Sequence, residues 1–341
     1  MEKTDMLIIG GGPAGLGLAK NLSEAGVSFI LLEEHKDFFQ KACGEGLGHE
    51  DCGYDIMELY GSKAGIENKI NTFSLFLNSK LLISAGLDGF MLDKREFEKE
   101  MFRQATNHGG DVRLGQRAVS FERTANGIIA RPQDIECKCL VGCDGAFSKT
   151  REFFGQKING MAFAVAAYEK KNEDDHDMKF YIGKDVINRG YAWRFPKKDT
   201  YNVGVGSVRK ETVMPAYNRL FNAKGVRGAF IPSSMPCRTH FNNGILVGDS
   251  AAQTDALTGG GMSYDLICSK LAADVLTKIS KTNGQFSEQN LKEYETLWKK
   301  AKYKQLRMNK ILETLVSGTN IFAHETIAWN LRKLLKLFMK T

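Results

Sequence analysis

The sequence predicts an α/β protein, and three observations predict it. The chain opens on a strand, a glycine turn, a helix and a second strand, "DMLIIGGGPAGLGLAKNLSEAGVSFILLEEH". Two later apolar strands end in Asp144-Gly145 and Gly248-Asp249, and the second leads through Gly259-Gly260-Gly261 into a helical pattern. Between them lies a strand-rich stretch with Tyr191, Trp193 and Phe195 at alternate positions. At 341 residues the chain exceeds one typical domain, so two interleaved domains are expected.

In the opening run, residues 6–9 are the apolar strand and Gly10-x-Gly12-x-x-Gly15 is the turn. Residues 13–25 form the helix, Gly26 ends it, and residues 29–32 make the second strand. The glycines suit a tight turn, close backbone approach to a pyrophosphate, and close helix–strand packing. The helix start after Pro13, which itself has no N–H, offers the N–H groups of Ala14 and the residues that follow, with a positive dipole end, to phosphates. Glu33, which closes the second strand, is placed to accept from ribose hydroxyls. Dinucleotide binding is the expectation. Asp249, taken singly, also reads as a helix N-cap.

The composition is that of a globular chain, with 43% hydrophobic and 26% charged residues and only 6 Pro. The net charge is +7, and the stretch 281–341 accounts for all of it, because acidic and basic side chains balance in 1–280. Such a tail points to an anionic partner: a membrane surface, a phosphate-bearing substrate or nucleic acid. The seven cysteines lack Cys-x-x-Cys spacing and a disulfide framework, and they read as small buried residues in a reducing compartment. No metal site is expected. No apolar run approaches a spanning helix, and no signal peptide precedes the first strand, so a cytoplasmic location is expected.

The aromatic run "RGYAWRFPKKDTYNVGVG" reads as a strand whose three rings share one face, with Pro196 marking an edge or the end of pairing. Alone, that pattern also describes an ordinary core face.

Taken in order, the glycine loop, the Asp-Gly turn and the Gly-Asp turn with its glycine-opened helix resemble the FAD-dependent para-hydroxybenzoate hydroxylase superfamily. Within it, Tyr191-Ala-Trp193-Arg-Phe195-Pro196, seven residues and Gly204-Val-Gly206 resemble the signature of the geranylgeranyl reductase family. Lys41-Ala42-Cys43-Gly44-Glu45-Gly46 resembles a second element of that family, and the likeness covers about residues 5–280. The resemblance implies FAD, with Gly10, Gly12, Pro13, Ala14, Gly15 and Glu33 on the ADP half. It places Arg95 near the cofactor, although Arg95 also reads as a solvated helix-start arginine. Ala118 and Val119, in "GQRAVSFE" read as a strand, would lie near the adenine. Asp144 would contact the cofactor, Asp249 would hold the ribityl chain, and Gly260, Gly261 and Met262 would open a helix toward the flavin pyrimidine. Cys43, Gly44 and Gly46 would lie against the isoalloxazine. Tyr191, Trp193 and Phe195 would border a prenyl tunnel, with Gly204 and Gly206 leaving room for the chain or flavin. Ala256 and Ser269 depart from a Pro and a Gly common among relatives.

The activity implied is reduction of C=C bonds in a geranylgeranyl or polyprenyl chain of a membrane phospholipid precursor. A hydride would come from the flavin and a proton from a donor for which Cys43 is the candidate. The other readings are a flavin monooxygenase or halogenase, and a prenyl-lipid or quinone carrier. The electron donor stays open among ferredoxin, a deazaflavin and a nicotinamide. The FAD domain is expected over 1–68, 86–156 and 240–280, and a smaller antiparallel-sheet substrate domain over 69–85 and 157–239, with 71–85 as a hairpin. A basic helical region takes 281–341. In its last turns Ile327, Leu331, Leu334, Leu335 and Phe338 oppose Arg332, Lys333, Lys336 and Lys340. That helix is expected either to pack on the body or to lie on anionic lipid, on the inner face of the cell membrane. No nucleic-acid partner is expected.

Overall fold

Glu2–Ile9 buries its last four residues, Met6 to Ile9, on both faces, as the central strand of a covered parallel sheet requires. The computed structural model describes residues 1–318, so the expected tail helix at 326–341 lies outside the described residues. The first sheet has the order His240–Phe241, Gly244–Leu246, Ile135–Gly142, Glu2–Ile9, Ile30–Glu33, Asp111–Leu114. All its neighbours are parallel except the first pair, and Ser120–Arg123 and Ile128–Arg131 form an antiparallel appendage on Ile135–Gly142. The strand expected across "GQRAVSFE" begins only at Ser120. The residues before it are held by turn contacts, with Gln116 N–H donating to Glu33 O.

The described helices are α1 (Pro13–Glu24), α2 (Ile56–Tyr60), α3 (Lys94–Asn107), α4 (Lys149–Phe153), α5 (Lys210–Leu220), α6 (Met262–Lys281), α7 (Glu288–Trp298) and α8 (Lys304–Gly318). Apolar side chains of α1, α3, α6 and α7 cover one face of the first sheet, among them Leu16, Phe97, Ile267 and Leu291. The helices α1 and α6 approach closely at Gly17, where an added Cβ would sit 2.6 Å from Ser269 Oγ. The opposite face is sealed by Ile128, Phe154 and Phe241.

The second sheet also has eight strands, in the order Arg227–Pro232, Met161–Lys170, Thr200–Ser207, Ile187–Pro196, Asp177–Gly183, Ile66–Leu77, Lys80–Leu92, Gly46–Gly48. The expected hairpin at 71–85 is longer, spanning 66–92. The sheet is antiparallel except that Asp177–Gly183 runs parallel to Ile66–Leu77. Its outer face carries α5 over Val165, Ala192 and Val205, and its inner face is turned toward the first sheet. No helix among the described residues is long and apolar enough to cross a membrane.

Candidate active site

One cavity of about 1300 Å3 runs between the two sheets. It is lined at one end by the glycine turn and at the other by the inner face of the second sheet. Gly10 begins the turn at φ 102°, and its N–H donates to Leu32 O at 2.8 Å. A Cβ there would sit 2.4 Å from Cys143 O, so only glycine fits. Gly12, by contrast, faces open space. Gly15 does not reach the cavity, because it packs the helix onto the Gly10 carbonyl.

The helix starts provide a test of whether a dinucleotide fits. Side chains of Asp55, Asp93, Ser148 and Ser287 cap α2, α3, α4 and α7. Among the helices whose starts line the cavity, α1 and α6 have Gly12 and Gly261 as N-caps and no side-chain cap; α5 also lacks one, but its N-cap Arg209 does not line the cavity. The N–H groups of the first turns of α1 and α6, from Ala14 onward in α1 because Pro13 has none, are left for an acceptor in the cavity. Glu33 accepts from Gly11 N–H at 2.6 Å and His35 N–H at 2.8 Å, which fixes its carboxylate at the cavity wall. The donors and the acid therefore suit an ADP moiety. Pro13, Ala14 and Ala118 also line the cavity. Val119 is half exposed and stands outside it. Arg95 does not line it either: its guanidinium pairs with Asp37 at 2.9 Å, and only Asp37 faces the cavity.

Farther along, Asp144 lines the wall and accepts from Ser148 Oγ at 2.5 Å and Thr150 N–H at 3.0 Å. Burial pushes its carboxyl up, and these donors oppose that. Asp249 accepts from Thr254 Oγ1 at 2.5 Å and faces Gly260, Gly261 and Met262 across the same space. Asp265 stands behind Asp249, and burial together with the Asp249 charge drives its carboxyl well above the usual carboxylate range. Asp255 organises the glycine loop by accepting from Leu257 N–H at 2.8 Å and Asn309 Nδ2 at 2.7 Å. Asp255 N–H also donates to Gly260 O at 2.9 Å and Gly259 N–H to Asp255 O at 2.8 Å, so the loop that carries the departure at Ala256 is pinned at both ends.

Tyr191, Trp193 and Phe195 all line the cavity from one face of Ile187–Pro196. Phe180 on the neighbouring strand adds a fourth ring, with its centroid 4.9 Å from Phe195 and 5.7 Å from Tyr191. Two of the rings are tethered by polar handles. Tyr191 OH donates to Thr258 O in the glycine loop, and Trp193 Nε1 donates to Asn202 Oδ1 at 2.9 Å. The space beside Gly204 does not stay open for substrate or flavin, because Trp193 takes it. A Cβ at Gly204 would sit 2.1 Å from the indole Cζ2, so this glycine seats the ring.

The Cys43 loop lies across this wall. A Cβ at Gly44 would meet Phe195 Cε2 at 3.1 Å, and one at Gly46 would meet Met178 Cε at 2.7 Å. Cys43 faces the cavity, and Glu45 N–H donates to its Sγ at 3.3 Å. Burial pushes the Cys43 thiol up, with Lys94 pulling the other way. The residue that sequence reading passed over is Glu45, which is 1% exposed. Its Oε1 accepts from Lys197 Nζ at 2.7 Å and Lys94 N–H at 3.2 Å; its Oε2 accepts from Tyr168 OH at 2.6 Å and Asn202 Nδ2 at 2.8 Å. The signal for it was a carboxylate inside a glycine-rich element that otherwise holds small residues.

The chain matches two family models: the FAD binding domain over residues 3–188 and the geranylgeranyl reductase catalytic domain over residues 160–227. It is 30% identical to a digeranylgeranylglycerophospholipid reductase of Methanospirillum hungatei, covering 86% of this chain and 81% of the relative. A protein of the same description from Methanococcus vannielii is 28% identical, over 94% of this chain and 88% of its own. Among solved structures, a geranylgeranyl bacteriochlorophyll reductase-like protein of Thermoplasma acidophilum superposes with a TM-score of 0.84 at 22% identity. That match covers 98% of this chain and 91% of the other, and it shows the shared fold.

Proposed function

Because the chain belongs to the geranylgeranyl reductase family of FAD-dependent enzymes, we propose that its cavity holds FAD and one prenyl chain together. The protein is an FAD-dependent reductase that saturates C=C bonds of geranylgeranyl chains, in a membrane phospholipid precursor. The observation that carries this reading is the continuity of a single cavity from the uncapped helix starts to the wall of four rings. Held by Asp249 and the uncapped starts of α1 and α6, reduced FAD would supply hydride chemistry to one alkene carbon.

The residues around that reaction bind, orient and keep water out. An isolated alkene offers no polar handle, so its position depends on apolar contact with Phe180, Tyr191, Trp193 and Phe195, worth about 0.8 kcal/mol per buried CH2. The second alkene carbon takes its proton from Cys43 Sγ. Burial keeps that thiol protonated at neutral pH, which suits a donor and not a nucleophile. Asp249 and the starts of α1 and α6 hold the cofactor, while Tyr191 ties the ring wall to the glycine loop beside it.

Electrons reach the site from an external carrier: ferredoxin, a deazaflavin or a nicotinamide. The protein sits peripherally on the inner face of an anionic membrane through residues 326–341. The support is the positive excess confined to the stretch 281–341 and the apolar stripe near its end. Salt-sensitive binding to anionic vesicles should weaken when 326–341 are removed, and equal binding by the shortened chain would reject this placement.

The reductase reading is tested by anaerobic single turnover. Adding a geranylgeranyl glycerophospholipid to the photoreduced holoprotein should restore the oxidised-flavin absorbance, and the saturated analogue should not. Recovery that needs oxygen would point instead to the monooxygenase reading.

A further inference from the structure

The polar end of the cavity has chemistry that the ring wall does not explain. On Ile187–Pro196 the rings at 195, 193 and 191 are followed by Arg189, which lines the same cavity although its φ of 56° interrupts the alternation of the strand. Phe195, at the other end of this strand, is the ring that packs against Gly44 of the Cys43 loop. Apolar side chains line the stretch between, among them Leu75, Phe180 and Ile182. Lys184, in the turn that links Asp177–Gly183 to this strand, lines the cavity beside Arg189.

Charge pairing separates these two cations from the others in the wall. Lys94, Arg117 and Lys149 are matched with Glu98, Glu34 and Glu152. Lys41 stands at the opposite end, over Gly145. Lys184 and Arg189 have no carboxylate partner among the described residues. The carboxylate in the same turn, Asp185, accepts from Ser79 Oγ at 3.3 Å.

The backbone at Arg189 departs from a regular strand. Arg189 adopts φ 56°, a left-handed conformation that costs a long side chain energy and would cost glycine nothing. Its carbonyl is held there by Ser207 Oγ at 3.0 Å. Lys184 and Arg189 are both exposed, so an anion at this end of the cavity can reach either side chain.

We infer that Lys184 and Arg189 form a subsite for the phosphate head of the prenyl substrate, at the far end of the channel from Cys43. This rests on the reductase reading for its substrate class, and it adds which residues hold the anionic head group and the direction in which the chain lies. The alkenes then reach the flavin from a tail whose polar end is fixed. Reach along the strand decides which bonds can be presented.

Equilibrium binding to the holoprotein, followed by Trp fluorescence, tests this with geranylgeranyl phosphate and geranylgeraniol as probes. Wild type should bind the phosphate about tenfold more tightly than the alcohol, a preference that added salt reduces. Lys184→Ala combined with Arg189→Gly should abolish that preference. The glycine relieves the left-handed backbone, so loss of folding does not confound the result. Lys224→Ala, which removes an exposed lysine outside the cavity, controls for net charge. In turnover the double variant should raise KM for the phosphate with little change in kcat. A preference that survives in the double variant, or none in wild type, would overturn the subsite. Tight binding of the phosphate that the double variant loses, without any alkene reduction by wild type, would support the subsite and sink the reductase reading.

Discussion

Asn202 and Glu45 are joined by one hydrogen bond, Nδ2 to Oε2 at 2.8 Å, and it links two parts of the site. The same amide donates to Cys43 O at 2.8 Å, and its oxygen accepts from Trp193 Nε1. The loop that carries the thiol and the strand that carries the indole are thus set by one carboxylate and one amide, both buried.

Replacing Glu45 by Ala should cost about 3 kcal/mol, because it leaves Lys197, only 7% exposed, without its nearer partner. Glu67, 3.3 Å from Lys197, limits the damage. Urea unfolding measures the loss. A change under about 0.5 kcal/mol, the level of an ordinary surface substitution, would deny the carboxylate its linking role.

Gly204→Ala and Gly206→Ala make a matched pair. The first places a Cβ 2.1 Å from the indole and 2.4 Å from Val165 O, so it should destabilise by at least about 1–3 kcal/mol and displace Trp193. The second meets Ala164 Cβ at 3.3 Å and should be far milder. Thermal unfolding and Trp fluorescence distinguish them, and equal effects would contradict the seating of the ring.

Cys43→Ala should retain flavin yet slow alkene reduction by about 100-fold, the scale of a lost general acid. Burial raises the thiol above its ordinary range, so the wild-type rate should stay level through about pH 8.5 and fall only at higher pH, as the proton is lost. A fall beginning near pH 7 in single-turnover rates would assign the proton to another group.

Glu295 gives a pH test away from the chemistry. It accepts from Thr239 N–H at 2.9 Å and His240 Nδ1 at 2.8 Å, tying α7 to the first sheet. Burial disfavours its charge, but Lys299, Thr239 and His240 outweigh that and hold its pKa at about 2. A lowered folded-state pKa contributes stability above the unfolded value of 4.5, lost as pH falls from there toward 2. Glu295→Gln should therefore be less stable at pH 7 and lose less between pH 5 and about pH 3 than wild type in urea titrations. Parallel acid curves for the two proteins would remove this contribution.

The parts of the site that were legible in the sequence were local ones. The glycine turn, its helix and Glu33 all fall within the stretch 10–33, and the three rings reveal themselves by a spacing of two. The Glu45 connections were not legible, since Tyr168, Lys197 and Asn202 are 123, 152 and 157 residues away. Only the sheet fold brings them together. The parallel pairing of Asp177–Gly183 with Ile66–Leu77 is hidden for the same reason, because no short connection announces it. Gly204 misled because a glycine in a strand marks close approach without naming what approaches, and here it is the neighbouring indole. Arg95 begins a helix beside Asp37, and local ion pairing accounts for it.

The most direct test is the mass of the lipid after anaerobic incubation with dithionite-reduced, FAD-loaded protein and a geranylgeranyl glycerophospholipid. The account predicts product heavier by two hydrogens for each bond saturated, formed about 100-fold more slowly by Cys43→Ala. Lipid recovered at unchanged mass from protein that has kept its flavin reduced and its substrate bound would contradict it.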